Sequence, residues 1–409
     1  MPHDRLAKRL MSHVHGIETA GMRKGDERVI RAVLPPINGK GPRFLLDGQG
    51  EKPFLRMNAN SYLGLSLIAE TRDAEEEAVR DFGTGPGAVR FISGTWATHT
   101  ALESRLAAFH GREAGMLFSS AYAAVMGLLP PLITSETVVL SDEFNHNCII
   151  NAIRLATPKQ KLVYRHLALQ ELEDHLKSTS RTCRRAIIVT DGVFSMRGDF
   201  SPLERLMDLA RKYDDEFPEN VLVVVDDSHG VGALGASGRG TEEITGSPPA
   251  DVLVATLGKA FGVNGGYIVA SNTVVEYLRE TSPFYIYSNP ITPGEAAGAL
   301  AALNIVDSSR GAALLRQLRD MTERFEQGLK QLGLETIPGP HPVTPLMVRN
   351  TPQTLQLVTH LFDCGVLATG LGYPVVPKGD EEVRFQVSAD HTPDDIDEAL
   401  NAIRTFFTQ

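Results

Sequence analysis

Cysteine is scarce in this 409-residue chain. Its three cysteines, Cys148, Cys183 and Cys364, are odd in number and widely spaced. That argues against a disulfide framework and against a paired-thiol metal site, and it predicts a reducing compartment, the cytoplasm. Positive charge is also short, with 40 Lys plus Arg against 50 Asp plus Glu and a formal net charge of −10. No cationic field gathers phosphate backbones or anionic lipid, so neither nucleic acid nor a membrane surface is an expected partner. No stretch approaches the roughly 18 apolar residues that a spanning helix needs. The segment from Met1 to Arg31 carries His, Arg, Lys and Asp where a signal peptide has an apolar core. The expectation is a protein that is neither exported nor embedded in a bilayer.

What is present is enough apolar residue, 42%, for a sizeable core in a chain longer than one compact core usually serves. The first 45 or so residues mix charges around a Leu34-Pro35-Pro36 break, which reads as a short helix and an extended arm rather than a packed domain. Between about Phe109 and Ala270, short β-branched runs alternate with amphipathic stretches. Thr137 to Leu140, Lys161 to Tyr164, Ala186 to Thr190, Val221 to Val225 and Val252 to Ala255 read as buried strands, and Leu169 to Leu176 and Leu203 to Tyr213 as helices between them. This alternation predicts a mainly parallel α/β sheet covered on both faces. Pro290 and Pro293 then precede an Ala- and Leu-rich run, Glu295 to Ile305, that reads as the start of a long helix leading out of the sheet domain. Beyond it, helical periodicity over Leu315 to Leu332, strands at Val343 to Val348 and Val383 to Val387, and a closing helix from Pro393 to Phe407 predict a smaller α+β domain. The expected division is residues 1–56 as helix and arm, 57–294 as the large α/β domain and 295–409 as the small one.

Chemistry concentrates in the second half of the sheet domain. The strand Val221 to Val225 runs into Asp226-Asp227-Ser228-His229, placing polar groups at the carboxyl end of a buried strand, where open α/β sheets bind ligands. Alone, Asp226 reads equally well as a cap on the next element. Some thirty residues on, the strand Val252 to Ala255 runs into Thr256-Leu257-Gly258-Lys259-Ala260-Phe261-Gly262. An ammonium in so small and apolar a turn is partly desolvated, which frees the amine to attack an aldehyde and form a Schiff base. Pyridoxal phosphate is an aldehyde that works as an electron sink while its ring nitrogen stays protonated, and the Asp226 carboxylate favours that charged form. His229 reads either as a hydrogen-bond partner of the cofactor's ring hydroxyl or as a structural strand-end histidine. His146 follows another strand, where its flat imidazole is suited to stack on the ring. Phe118-Ser119-Ser120-Ala121-Tyr122-Ala123 opens a helix and offers N–H groups to a phosphate, with Ser119 or Ser120 as its cap. Thr256 and Ser288 are further hydroxyl candidates for that cradle.

From about Met57 to the C-terminus the motifs resemble those of the α-oxoamine synthases. They are Asn58-Ala59-Asn60-Ser61-Tyr62-Leu63-Gly64-Leu65, Gly87-Ala88-Val89-Arg90-Phe91-Ile92-Ser93-Gly94-Thr95, Asn145-His146, Asp191-Gly192-Val193-Phe194-Ser195-Met196, Asp226-Asp227-Ser228-His229 and Thr256-Leu257-Gly258-Lys259. The resemblance implies a fold-type I transferase dependent on pyridoxal 5'-phosphate, which condenses an amino acid with an acyl-CoA. It implies Lys259 as the Schiff-base lysine, Asp226 as the pyridinium partner, His229 at the ring hydroxyl and His146 on the ring. It also implies Ser195 near a cofactor oxygen, phosphate contacts from Ala121, Tyr122 and Thr256 beside the Ser120 of the helix start, and amino acid binding by Asn60 and Arg384. A guanidinium fork such as Arg384 is suited to a carboxylate on its own chemistry.

Val89-Arg90-Phe91-Ile92, Tyr287-Ser288-Asn289 and Pro374-Val375-Val376-Pro377-Lys378-Gly379 look most like the glycine C-acetyltransferase branch, which favours glycine and a short acyl group. Two departures stand against this: Arg197, where an Asp commonly follows the Ser-Met pair, and Thr95-Trp96-Ala97-Thr98-His99. The alternative within the resemblance is a longer-chain synthase, of the 8-amino-7-oxononanoate or serine palmitoyltransferase kind, using alanine or serine with decarboxylation. A homodimer with shared active sites is implied, in which Ser288 and Asn289 serve the neighbouring subunit's phosphate.

Overall fold

The computed structural model describes residues 3–19, 27–373 and 376–408. The chain divides into two compact units, one of residues 60–319 with 340–342 and the other of residues 1–59, 320–339 and 343–409. The first holds a seven-stranded sheet built from β1 (Ala114–Phe118), β2 (Thr137–Asp142), β3 (Gln160–Tyr164), β4 (Arg185–Asp191), β5 (Val221–Asp226), β6 (Val252–Thr256) and β7 (Gly266–Ala270). Its order is β1-β7-β6-β5-β4-β2-β3. All neighbours are parallel except β7, which runs antiparallel to both β1 and β6.

The β-branched runs form this sheet because successive side chains point to opposite faces and both faces are covered. Val139, Ile187, Val189, Val224, Val252 and Val254 enter one apolar cluster with α1 (Ala121–Leu132) and α2 (Asn147–Ala156). Their strand neighbours Val138, Leu140, Ala186, Ile188, Val223 and Val225 enter a second cluster with α3 (Leu169–Thr179) and α4 (Leu203–Tyr213). The parallel strands therefore end at one edge, where Asp142, Asp191, Asp226 and Thr256 terminate β2, β4, β5 and β6, and where α1 and α2 begin.

Two expectations need correction. Glu295 to Ile305 lies in α5 (Pro293–Val306), which stops at Asp307; a separate helix, Ser309–Gln331, follows. Nor does α5 leave the large unit. It packs on the helix Ala69–Phe82 through small residues, since a Cβ on Gly294 would lie 2.8 Å from Val79 Cγ2. Its Ala- and Gly-rich face is a close helix-helix seam.

The N-terminal arm is also more than an arm. Ile30–Leu34, Arg43–Leu46 and Pro53–Arg56 form a four-stranded sheet with Val366–Leu367 in the smaller unit. Arg43 is buried there in an ion pair with Asp395 (2.6 Å), whose carboxylate also accepts the Gly41 N–H (2.9 Å). A charge of the arm is thus paired with a helix more than 350 residues away. A second sheet of this unit, in the order Val343–Met347, Glu382–Gln386, Thr369–Leu371, is antiparallel throughout. Thr392 and Asp395 form a capping box on its closing helix Pro393–Phe407. Among the described residues no helix is long and apolar enough to cross a membrane.

Candidate active site

The strand ends and the starts of α1 and α2 enclose a cavity of about 190 Å³. Lys259, Asp226, His146, His229, Ser120, Ala121, Tyr122, Ser195 and Thr256 all line it, as do Cys148, Asp191, Val193 and Ser228, which the sequence did not single out. Asn60, Arg384, Ser288 and Asn289 are not among its lining residues.

Lys259 sits in a turn held from both sides. Leu257 N–H donates to Gly265 O (2.9 Å), Val263 N–H to Leu257 O (3.0 Å) and Gly262 N–H to Lys259 O (3.0 Å). Thr256, expected at the phosphate, ties this same turn: its hydroxyl donates to Gly265 O (3.1 Å) and accepts the Gly258 N–H (3.1 Å). The opposite wall is α1. Ser120 caps it by accepting the Ala123 N–H (3.0 Å), leaving the N–H groups of the first turn, Ala121 and Tyr122, without intrahelical acceptors. Gly266 brings β7 against this helix start so closely that a Cβ there would lie 2.1 Å from Ala121 N.

Asp226 and Asp191 stand opposite one another across β5 and β4. Burial, and then the neighbouring Asp226, push the Asp191 carboxyl well above its ordinary value. Asp191 is held by Asn145, whose side-chain oxygen accepts its backbone N–H (2.8 Å), and its carboxylate accepts the His146 N–H (3.2 and 3.3 Å). His146 caps α2: its Nδ1 accepts the Cys148 N–H (3.3 Å) and lies 2.9 Å from Cys148 Sγ. With Nδ1 accepting the Cys148 N–H, the neutral ring carries its proton on Nε2. Burial lowers the affinity of His146 for a second proton, Asp226 opposing this and Lys259 adding to it, so the ring is neutral at pH 7. Burial together with Asp226 and Asp191 keeps Cys148 as the thiol.

His229 Nδ1 lies 2.7 Å from the hydroxyl of Tyr62, a fully buried residue 167 positions away. The Tyr62 hydroxyl is also 3.3 Å from Asn60 Oδ1, and His341 Nε2 donates to the His229 carbonyl (2.9 Å). Asp227 turns away from the cavity into a shell of Gly192, Gly230, Gly240 and Thr241, accepting from Thr241 N (2.7 Å) and Oγ1 (2.5 Å); burial raises its carboxyl to about 7. The loop carrying Val193 and Ser195 is anchored by His166, whose ring bridges Asp142 (3.1 Å) and Asp199 (3.2 Å). Burial opposes its charge, but the two carboxylates outweigh that and raise it to about 9. Arg197, the residue that departs from the expected motif, pairs with Asp199 (2.8 Å).

Ser288 and Asn289 lie together on the large unit, Ser288 Oγ reaching the Asn289 carbonyl (3.4 Å) and Asn289 being exposed. Arg384 is on the strand Glu382–Gln386 of the smaller unit. Pro374 and Val375 lie outside the described residues, as do parts of the segment before Arg31.

Pyridoxal phosphate fits what lines the cavity. A primary amine, a carboxylate, a flat imidazole and a helix amino terminus converge, and the Ser228 hydroxyl is buried among them without a protein partner. Among the described residues no cluster of His, Cys, Asp and Glu is suited to a metal ion.

Comparison with known proteins adds lineage. The family model for aminotransferase class I and II matches residues 52–403. The 8-amino-7-oxononanoate synthase of Thermosipho melanesiensis is 38% identical over 362 residues, 88% of this chain and 89% of that protein. The mitochondrial 2-amino-3-ketobutyrate coenzyme A ligase of Homo sapiens is 36% identical over 395 residues, 96% of this chain and 90% of that one. Among solved structures, Sphingomonas wittichii serine palmitoyltransferase superposes with a TM-score of 0.88 at 23% identity, covering 99% of this chain and 98% of its own, a likeness of fold.

Proposed function

The chain belongs to the aminotransferase class I and II family, as a pyridoxal 5'-phosphate enzyme of the α-oxoamine synthase type on a fold-type I scaffold, and from that premise we propose that it joins glycine to a short acyl group taken from acyl-CoA. The observation that carries the reading is the convergence of Lys259, Asp226, His146 and the start of α1 on one cavity. The kinship with 2-amino-3-ketobutyrate coenzyme A ligases over 96% of the chain supports the choice of glycine.

Bound there, pyridoxal phosphate supplies an electron sink for the bonding electrons of the amino acid's Cα–H. Asp226 accepts a hydrogen bond from the ring nitrogen and holds its proton there. Lys259 would hold the cofactor, and its amine would receive the Cα proton on Nζ. The neutral His146, with its proton on Nε2, donates to the oxygen on which charge develops as the thioester carbonyl is attacked. Ala121 and Tyr122 N–H groups with the Ser120 hydroxyl would hold the phosphate, while His229 would meet the ring hydroxyl with Ser195 near a cofactor oxygen. Arg384 and Asn60 are the proposed binders of the amino acid, the Arg384 guanidinium being suited to its carboxylate. In a homodimer, Ser288 and Asn289 serve the partner's phosphate. The cytoplasm suits its unpaired thiols.

A second reading, condensation of alanine or serine with a longer acyl thioester and loss of CO2, is supported by the 38% identity to an 8-amino-7-oxononanoate synthase. One experiment separates the two. The visible absorbance of the purified protein is titrated with glycine, alanine and serine, then acyl-CoA donors of increasing length are supplied and the products weighed by mass spectrometry. Glycine-specific spectral change and an acetyl-derived product support the first reading; alanine or serine with a long donor supports the second. A protein that gains no visible band when given pyridoxal phosphate, matching its Lys259→Ala variant, refutes both.

A further inference from the structure

We propose that Gln386 is a positioning residue, fixing the plane of the Arg384 guanidinium for an incoming carboxylate. The inference rests on the reading of Arg384 as the fork for the amino acid's carboxylate, and it concerns a residue on which that reading is silent.

Arg384 and Gln386 are two apart on the strand Glu382–Gln386, so their side chains stand on the same face. That strand is the middle one of its sheet, paired with Val343–Met347 on one side and Thr369–Leu371 on the other, which makes its backbone a rigid base. Gln386 is fully buried, while Arg384 is only half-buried. A buried amide must satisfy both its ends, and Gln386 does so in one orientation. Its side-chain oxygen accepts from Arg384 Nε (2.7 Å) and Nη2 (2.9 Å), while its nitrogen donates to the Met57 carbonyl (3.1 Å). Reversed, carbonyl would face carbonyl and NH2 would face guanidinium. Met57 O also accepts the Gln386 backbone N–H (2.9 Å), so the amide is tethered twice to one point. Two N–H groups converging from one guanidinium edge on a single held oxygen define both the direction and the tilt of the fork.

The choice of residue follows from charge. A glutamate would accept the same two hydrogens but set a carboxylate against the guanidinium, in competition with a substrate carboxylate for the same cation. A leucine would fill the volume and leave buried donors without an acceptor. Only a neutral acceptor of this length orients the fork without adding a negative charge to it. The substrate class implied is a free α-amino acid with an intact carboxylate, and amines lacking that group are discriminated against.

The test uses the full-length holoenzyme and three variants, Gln386→Glu, Gln386→Leu and Arg384→Lys. Amino acid affinity is read from the visible spectral change without acyl donor, and kcat and both KM values from steady-state kinetics. Both Gln386 variants are expected to weaken amino acid binding and raise its KM about tenfold or more, Gln386→Leu by removing the acceptor that sets the fork and Gln386→Glu by competing with the substrate carboxylate for the same cation. The KM for acyl-CoA and the cofactor's own visible band stay as in the wild type. Gln386→Glu preserves volume, so a matching effect there excludes a packing defect as the cause. Amino acid affinity within about twofold of wild type in Gln386→Glu and Gln386→Leu, while Arg384→Lys is weakened, overturns the proposal and leaves the role of Arg384 standing. Unchanged affinity in Arg384→Lys overturns the underlying reading instead, and Gln386 with it. Equal losses in acyl-CoA KM and cofactor band mean that Gln386 is merely structural, which also overturns the proposal.

Discussion

Gly266→Ala is the perturbation that most directly tests how the sheet builds the proposed phosphate cradle. The added Cβ would lie 2.1 Å from Ala121 N, 2.4 Å from the Ser120 carbonyl carbon and 2.5 Å from Ala121 Cα, all backbone atoms. Carbon contacts relax to about 3.5 Å, so β7 and the start of α1 must part by roughly 1 Å or more. Neither can give easily, because Gly266 is paired to Phe118 on one side and Thr256 on the other. Overpacking of this kind costs about 1–3 kcal/mol of stability. It also moves the Ala121 and Tyr122 N–H groups away from an anion, and one charge-assisted hydrogen bond is worth about 1.5–3 kcal/mol. The affinity for pyridoxal phosphate should therefore fall about tenfold to a hundredfold. Absorbance titration of the apoenzyme measures this, with thermal melts of apo and holo forms beside it. The wild-type gain in Tm on adding cofactor should shrink in the variant. An unchanged dissociation constant, with the holo Tm gain intact, would refute the argument that this glycine holds the helix start in place.

Other outcomes follow from the same structure. Arg43→Ala leaves Asp395 buried without its cation and should destabilise the protein by about 3–5 kcal/mol in denaturant melts; since burial, which raises the Asp395 carboxyl, is outweighed by the hydrogen bonds of Arg43, Thr392 and Gly41 together with the Arg43 charge, the carboxyl is held below its ordinary value and wild-type stability should be lost as pH falls through that lowered range. His166, raised to about 9 by Asp142 and Asp199 against the pull of burial, stabilises the fold fully below about 6.5 and loses that contribution as pH climbs through about 9. The Tm gap between wild type and His166→Gln should close accordingly, and a gap that widens with pH would contradict the assignment. Ellman's reagent should find one reactive thiol in the native protein, the exposed Cys364, because Cys148 and Cys183 are buried and Cys148 is held protonated; all three should react in denaturant.

The five parallel strands were legible because Val, Ile and Leu runs bounded by polar residues have one comfortable environment, a sheet covered on both faces. Lys259 and Asp226 were legible for the opposite reason, being ionisable groups in places where solubility does not ask for them. Ser120 and the helix start at Ala121 followed from local capping chemistry, which acts within a few residues, and His146 from its place after a strand. What the sequence by itself determined is thus the local grammar and the polar residues that gather at the candidate site. Tertiary structure alone decided the rest, because each remaining feature depends on a partner far along the chain. Tyr62 reaches His229 across 167 positions, Asp191 meets Asp226 only through strand register, and Gly266 matters only because α1 begins beside it. The strands of the N-terminal arm show no strong periodicity and exist because Val366–Leu367 extends their sheet. Gln386 looked like one polar residue on a strand, and only folding sets its amide between Met57 and Arg384. Propensity and patterning are encoded residue by residue, whereas the pairing of distant groups is settled when the hydrophobic faces close and every buried polar atom must find its partner.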